Sequence, residues 1–436
     1  MSYTRASIAI PWITKHRKLA QIIILAAILG FYVCMLYYLA QGQIVGDFAI
    51  FYGSAENYYQ GKDIYDSIPI ERYGEIPPEI KSIIKIDSFY PNLNPPFQTL
   101  LFLFFPVLNI QSAFFLWGIL SILFGLISAR IIDHSKMATA QGISFCLAIM
   151  LFAFFPTIAA IGEGQITLLI LILLVIGWHA ARRENDFIAG IALGLALGLK
   201  LFIGLFLVYF LILRRYKLIG WCLVTFLATV LIPLFIFGID SIRRYMEILG
   251  NVNWYSFSWN ASLTGYFARI FEGFGGYTIF PQPGLTMIVS YSLSMLLLAI
   301  FIWAVWPKTD MTGSLYIDLG FSLTLVLMLL ISPFGWLYYF PFLILPMAII
   351  LTNTFQMHKQ SIGYLAIVTW ILMAFWPLLP HIQSQFTFII FQLGFYTYAL
   401  LVYSLLLVIL LAGIKKGNSK PLEAPQLNAK PGASKM

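Results

Sequence analysis

Residues 19–52 read LAQIIILAAILGFYVCMLYYLAQGQIVGDFAIFY. From Leu19 to Ala40 no residue is charged. A helix needs about 20 apolar residues to cross the hydrocarbon of a bilayer, and this run supplies them. It is longer than a signal-peptide core and lacks a small-residue cleavage site, so it reads as a retained anchor. A carboxylate, Asp47, then follows close behind the run, at the head of a polar segment that extends to about Pro95. A plain helix bundle has no need of a carboxylate at its mouth under a long aromatic and proline-rich loop. The placement points to chemistry at a membrane face.

The rest of the chain has the same character. Its 436 residues are 60% hydrophobic and 10% charged, against about 25% charged in a soluble domain. Mean hydropathy is +0.87. The expectation is an all-α integral membrane protein. The net charge of +8 is not a nucleic-acid signal, because Lys and Arg gather at the ends of apolar runs, as membrane anchors do. Cys34, Cys146 and Cys222 all fall inside apolar runs, which fits free thiols and neither a disulfide framework nor a zinc site.

Spans are predicted near 19–40, 111–132, 141–160, 165–182, 187–199, 201–214, 217–238, 285–306, 314–332, 336–352, 361–379 and 390–414, about twelve in all. Lys15 to Lys18, Arg130, Lys136, Arg182, Arg183, Arg214, Arg215, Lys217, Lys308, Lys359, Lys415 and Lys416 then share one side, expected to be the cytoplasm. Both termini belong there, and the protein is expected in the plasma (inner) membrane as a multi-pass chain. The segment 187–214 reads as one long tilted helix or as two short crossings. Arg pairs at both of its ends favour two. Gly190, Gly194 and Gly198, four residues apart, predict close helix packing. Residues 97–108 read as a short re-entrant or surface helix. Residues 1–414 are expected to form one domain, with two large outer loops, 41–110 and 239–284, that carry short amphipathic helices. Residues 415–436 read as a disordered cytoplasmic tail. No internal repeat is evident.

The outer face then collects polar residues. Asp47 is a candidate general base, against the plainer role of a helix cap or loop salt bridge. Lys200 is costly at membrane depth unless paired or wet. It is a candidate phosphate ligand, or a lysine reaching back to the interface. Arg243 and Arg244 are candidates for a forked phosphate clamp, or a solvated helix face. Gly162-Glu163-Gly164-Gln165 predicts a tight turn that presents Glu163. Trp254, Tyr255, Trp259 and Tyr266 suit sugar or lipid stacking, or an interfacial aromatic belt. His381 reads as an ordinary loop histidine. No Asp-x-Asp pair, His cluster or Gly-rich nucleotide loop is present, so neither a metal nor a cofactor is expected, and a soluble nucleotide substrate does not fit.

Three stretches carry a family resemblance: Gly46-Asp47-Phe48; Tyr58-x-x-Gly61-x-x-x-Tyr65; and Tyr90-Pro91-x-x-Asn94-Pro95-Pro96-Phe97. With Gly164-Gln165, Gly198-Leu199-Lys200 and Ser332-Pro333-x-x-Trp336, their order resembles the GT-C class of polytopic glycosyltransferases. Within that class they are most similar to glycosyltransferase family 87, the polyprenyl-phosphate-mannose-dependent mannosyltransferases. The resemblance covers most of 40–350. It implies a GT-C fold and metal-free, inverting sugar transfer from a polyprenyl-phosphate-linked donor to an acceptor hydroxyl at the outer face. The acceptor would be a glycolipid, polysaccharide or protein, and the chain's other partners are membrane lipids. Carried over, Asp47 matches the catalytic base. Lys200, Arg243 and Arg244 would hold the donor phosphate. Glu163, Gln165, Trp336, Tyr338, Tyr90 and Asn94 would face sugar or acceptor. The family often carries a His shortly after Ser-Pro-x-x-Trp, where this chain has Leu337-Tyr338-Tyr339. The alternative reading is a polytopic transporter or lipid flippase. It is weakened by the absence of a repeat and by polar groups that gather at one face rather than at the midplane.

Overall fold

A computed structural model describes residues 9–42, 45–69, 89–90, 92–137, 143–252, 254–274, 278–307, 313–356, 359–375 and 394–415. His381, the loop 70–88 and the tail 416–436 lie outside the described residues. The architecture is almost wholly helical. Among the described residues seven helices are long and apolar enough to cross a membrane, and the chain is a membrane protein. The expected count of about twelve is not reproduced. The other apolar helices are short, running from 10 to 17 residues.

Five expected spans fall short: 165–182, 187–199, 201–214 and 361–379 each match an apolar helix of 10–17 residues, and 141–160 is broken. The predicted span 141–160 is two helices, α5 (Ile143–Phe152) and α6 (Phe155–Gly162), because Pro156 forces the preceding Phe155 to begin a new helix. The predicted 336–352 opens as a 3-10 turn, Leu337–Leu343, around Pro341 before α15 (Ile344–Gln356). Residues 187–214 form two pieces, α8 (Asp186–Leu199) and α9 (Leu205–Ile212), parted at the extended Lys200 and a 3-10 turn. The predicted 97–108 segment is α3 (Pro96–Phe102) and a second 3-10 turn at Phe105–Val107, too short to span.

The remaining helices are α1 (Ala9–Gln41), α2 (Phe48–Tyr59), α4 (Ile110–Ile132), α7 (Thr167–Arg182), α10 (Tyr216–Phe237), α11 (Ile239–Gly250), α12 (Leu263–Phe271), α13 (Leu285–Val305), α14 (Ser314–Ile331), α16 (Gln360–Phe375) and α17 (Phe395–Lys415). One short antiparallel pair, β1 (Ile68–Pro69) and β2 (Phe89–Tyr90), sets Ile68 against Tyr90. Helix α14 is 83% buried, whereas α1 and α10 are 17% buried. A mostly apolar helix this deeply buried belongs inside the bundle, and α14 carries its one acidic residue, Asp318, there with it.

Charge ties the turns at one end. Arg215 is ion-paired to Asp186 and bonds the Ala181 carbonyl at 3.0 Å, which closes the α7–α8 and α9–α10 corners together. Here Arg182 pairs with the buried Asp318 of α14 at 3.2 Å, and Trp178 donates to the same carboxylate at 2.9 Å. Removing one partner of a buried pair strands the other, at a cost of about 3–5 kcal/mol. Asp318→Ala is therefore expected to lower the unfolding temperature of the detergent-solubilised protein. The double variant Asp318→Ala/Arg182→Met should recover part of the loss. An unchanged melting curve for Asp318→Ala would remove the pair from the fold's stability.

The opposite end is held by aromatic rings. Phe102 lies 4.8 Å from Trp117 and 5.9 Å from Phe48, and Phe48 is 5.6 Å from Phe114. This fully buried cluster, from α2, α3 and α4, is the floor on which the site stands.

Candidate active site

The floor brings two turns into contact. Helix α6 ends at Glu163 in a Schellman motif. The N–H of Gln165 bonds the Ala160 carbonyl at 2.8 Å, and that of Gly164 bonds Ile161 at 3.1 Å. Gly164 has φ of +63°, and a Cβ there would meet Phe48 Cβ at 2.5 Å. The tight turn expected at 162–165 is present. Against it lies the turn that carries Asp47. Gly46, at φ +49°, leaves room for Glu163: a Cβ at position 46 would strike Glu163 Oε2 at 2.2 Å. The N–H of Phe48 donates to the Glu163 carbonyl at 3.0 Å. Trp117 Nε1 locks the turn from behind through the Gly164 carbonyl at 2.8 Å.

Asp47 precedes α2, but its side chain makes no capping hydrogen bond. It accepts instead from Gln165 Nε2. Its backbone N–H donates to the Glu163 carboxylate. Two carboxylates thus share one half-buried pocket. Burial raises both. Asp47 is pushed up to about 6, held back by the charge of Lys200 and by Gln165. Glu163 is pushed up to about 8, by burial first and then by Asp47. Burial and mutual repulsion both disfavour two charges here, so the two carboxylates compete for a proton and titrate as a pair.

The third element is Lys200, at the corner between α8 and α9. It does not reach back to the interface. Its Nζ donates to Asn94 Oδ1 at 2.6 Å and lies 5.7 Å over the Tyr339 ring. Burial lowers it to about 8, against the pull of Asp47. Asn94 is fixed for this role. Its backbone N–H and its Nδ2 both donate to Asn92 Oδ1 at 2.9 Å, and its carbonyl accepts from the Tyr65 hydroxyl at 2.7 Å. Asn92 in turn donates to Ser54 Oγ at 2.9 Å. Only Asn94 Oδ1 remains for the lysine. On the far side, the hydroxyls of Tyr338 and Tyr339 are hydrogen-bonded together, within electrostatic reach of Asp47.

Asp47, Glu163, Gln165, Lys200, Asn94 and Tyr338 therefore gather in one place. Trp336 stands one step out, its ring 6.0 Å from that of Tyr338. Arg243 and Arg244 do not join the group. Arg243 pairs with Asp240 on the exposed face of α11 at 3.0 Å. Arg244 pairs with Asp66 at 3.3 Å and Asp63 at 3.6 Å, pinning the loop behind Asn94. Their amphipathic helix turns both toward its polar side, where Arg244 anchors the 63–66 loop and Arg243 pairs within the helix itself. Tyr90 contributes its backbone to the β pair.

Sequence reasoning missed two of the supports, Asn92 and Asn260, and named Tyr65 and Arg269 without giving them this role. Asn92 was legible only as the companion two residues before Asn94. Tyr65, stacked on Tyr245 at 6.1 Å, links α11 to Asn94. Asn260, fully buried, binds the N–H of Gly335 at 3.0 Å and the carbonyl of Pro333 at 2.9 Å, and so holds the Ser332–Trp336 turn. Arg269, also buried, bonds the carbonyls of Phe257 and Asn260 at 2.7 and 3.0 Å. An arginine inside the second loop carried no local signal beyond its charge.

Glu163 works against the fold at high pH. The folded protein keeps a proton up to about 8 that the unfolded chain loses near 4.5. Stability from this group is complete below 4.5 and falls as pH rises through about 8. Glu163→Gln is expected to unfold at a higher temperature than wild type at pH 8–9, with the two converging at pH 4. Equal melting curves at alkaline pH would show that Glu163 is not held protonated.

The family model described as glycosyltransferase family 87 matches residues 92–333. That range includes Asn94, Glu163, Gln165 and Lys200, and it leaves Asp47, Trp336 and Tyr338 outside. No curated protein matches the chain.

Proposed function

Because this chain belongs to glycosyltransferase family 87 and is a membrane glycosyltransferase, we propose that Asp47 and Lys200 carry its reaction. The substrate is a sugar, mannose by family default, linked through a single phosphate to a polyprenol. One observation carries the reading: Asp47 and Lys200 lie within electrostatic reach of each other, yet Lys200 is hydrogen-bonded to Asn94 rather than to Asp47.

A single displacement follows from that placement. The acceptor hydroxyl oxygen attacks the anomeric carbon, and its proton passes to Asp47. The bond from the anomeric carbon to the phosphate oxygen breaks, and polyprenyl phosphate departs with the electron pair. The charge that develops on the leaving oxygen is met by Lys200, already oriented by Asn94. One displacement inverts the anomeric centre. Gln165, bonded to the Asp47 carboxylate, and Glu163, which accepts from the Asp47 N–H, keep Asp47 in register. Trp336 and Tyr338 flank the acceptor side. The positive ends of the bundle, around Arg182, Arg183, Arg214 and Arg215, lie opposite the site, which supports a site at the extracytoplasmic face.

The test is transfer of radiolabelled mannose from synthetic polyprenyl-phosphate-mannose into acceptor, in membranes that contain the protein, with EDTA present throughout. Label should appear in acceptor at a rate EDTA does not change. Transfer only from a nucleotide sugar, or only with added divalent metal, would overturn the proposal.

A further inference from the structure

Four aromatic rings lead away from the site. Tyr255 and Phe334 are 4.9 Å apart at 20°, Phe334 and Trp336 are 5.7 Å apart at 13°, and Trp336 and Tyr338 are 6.0 Å apart at 23°. Near-parallel rings at these separations overlap only in part, like tiles. All four are half-buried, so each retains accessible ring surface. Phe334 and Trp336 flank Gly335 on the short extended piece before the 3-10 turn, and Tyr338, in the first residues of that turn, continues their line by its ring contact with Trp336. The line runs from the 254–262 loop to the hydroxyl of Tyr338, beside Asp47 and Glu163.

An interfacial belt does not account for this. Belt aromatics act one by one and point into lipid. These rings pack against one another and stand on a rigid base. Asn260 bridges to Trp336, the N–H of Leu337 bonds the Trp259 carbonyl at 2.8 Å, and Asn260 and Arg269 are 0% and 1% exposed. A buried asparagine with its hydrogen bonds filled, beneath a row of half-open rings, is how a binding platform is held in place.

The chemistry of the row selects its occupant. A pyranose offers a flat face of C–H bonds to a ring and hydroxyls around its rim. A prenyl chain would gain apolar contact from the rings, but it has no hydroxyls to match the polar groups at both ends of the row. Lys200, over the Tyr339 ring and bonded to Asn94, meets only the near end of the row, at Tyr338, so the phosphate-holding groups leave Tyr255, Phe334 and Trp336 to another part of the substrates. At the far end of the row, the exposed Glu272 acts by charge on Tyr255 and offers a hydrogen-bond acceptor to sugar hydroxyls.

We propose that the Tyr255–Phe334–Trp336–Tyr338 row binds a saccharide chain, so that the acceptor is an oligosaccharide or polysaccharide whose terminal sugar lies at Asp47. This rests on the glycosyltransferase reading above, and its test needs no catalysis. An array of linear oligosaccharides of one to six sugars, with peptide and prenyl-phosphate spots, is probed with the solubilised full chain. Wild type should bind saccharides with affinity that rises with length over the first several sugars. Phe334→Ala and Tyr255→Ala should each lose about tenfold on the longer chains, as the loss of one aromatic contact implies. Phe334→Tyr, which keeps the ring, should restore it. Melting curves establish that each variant is folded. Saccharide binding that ignores length, equal binding by Phe334→Ala, or binding confined to peptide or lipid spots would overturn the inference. Failure of the radiolabel assay alone would instead count against the transfer reaction.

Discussion

Asp47→Asn is expected to cut sugar transfer by about 10²–10⁴-fold while leaving the protein folded. Asn is nearly the same shape, and its Oδ1 can still accept from Gln165, so the turn against Glu163 is kept. What is lost is the group that takes the acceptor proton. The wild-type pH profile checks the same residue independently. Asp47 must be ionised to act, and its carboxyl is pushed up to about 6, so kcat/KM should fall as pH drops through about 6. Lys200 must be charged to meet the leaving phosphate, and it is lowered to about 8. Glu163 ionises over the same range and crowds the site with a second negative charge. The profile should therefore be a bell with limbs near 6 and 8. Transfer by Asp47→Asn at the wild-type rate, or an acid limb at the ordinary carboxylate range near 4, would remove Asp47 from the chemistry.

Gly194→Val is expected to abolish the folded protein or leave it without activity. Helix α8 lies on α10 through Gly190, Gly194 and Gly198. A Cβ at 194 would meet the Cys222 carbonyl oxygen and Thr225 Cβ, both at 2.6 Å, and one at 190 would meet the Leu218 carbonyl at 2.7 Å. Backbone atoms do not yield as a side-chain tip does. The helices must part, at the upper end of the roughly 1–3 kcal/mol that overpacking costs, or beyond it. Lys200 follows two residues after Gly198 on the same helix end, so any separation also carries the lysine away from Asn94. Gly220→Ala in α10 is the control, because nothing lies within 4 Å of its Cβ position. Expression, size-exclusion profile and transfer should fail for Gly194→Val and hold for Gly220→Ala. A folded, active Gly194→Val would show that the close approach is dispensable.

The glycine contact and the tight 162–165 turn were legible because they depend on local facts: a four-residue repeat, and a glycine free to take positive φ. The same is true of the break at Lys200, where a charge interrupts an apolar run. The breaks at Phe155 and Leu337 were just as local, and they follow from Pro156 and Pro341, but hydropathy averaged over a window passes over a single proline. Arg243 and Arg244 show the opposite failure. A pair of cations in an outer loop is chemically suited to phosphate, and no pattern in the chain reveals that Asp63 and Asp66, far away in sequence, already engage one of them.

By itself the sequence determined the class of the protein and its predominance of helix, and it named Asp47, Glu163, Gln165, Lys200, Asn94 and Tyr338 as candidates without showing which of them touch. Hydrophobicity, helix period and the cost of burying charge act on each residue where it stands, so composition and order are enough to read them. Only the tertiary structure decided which groups meet. It set Gln165 on Asp47, placed Glu163 to share its proton, turned Asn94 toward Lys200, and laid four rings in a row on Asn260. Those pairings depend on distances between segments that the chain brings together from 73 to 118 residues apart, and no local preference encodes them.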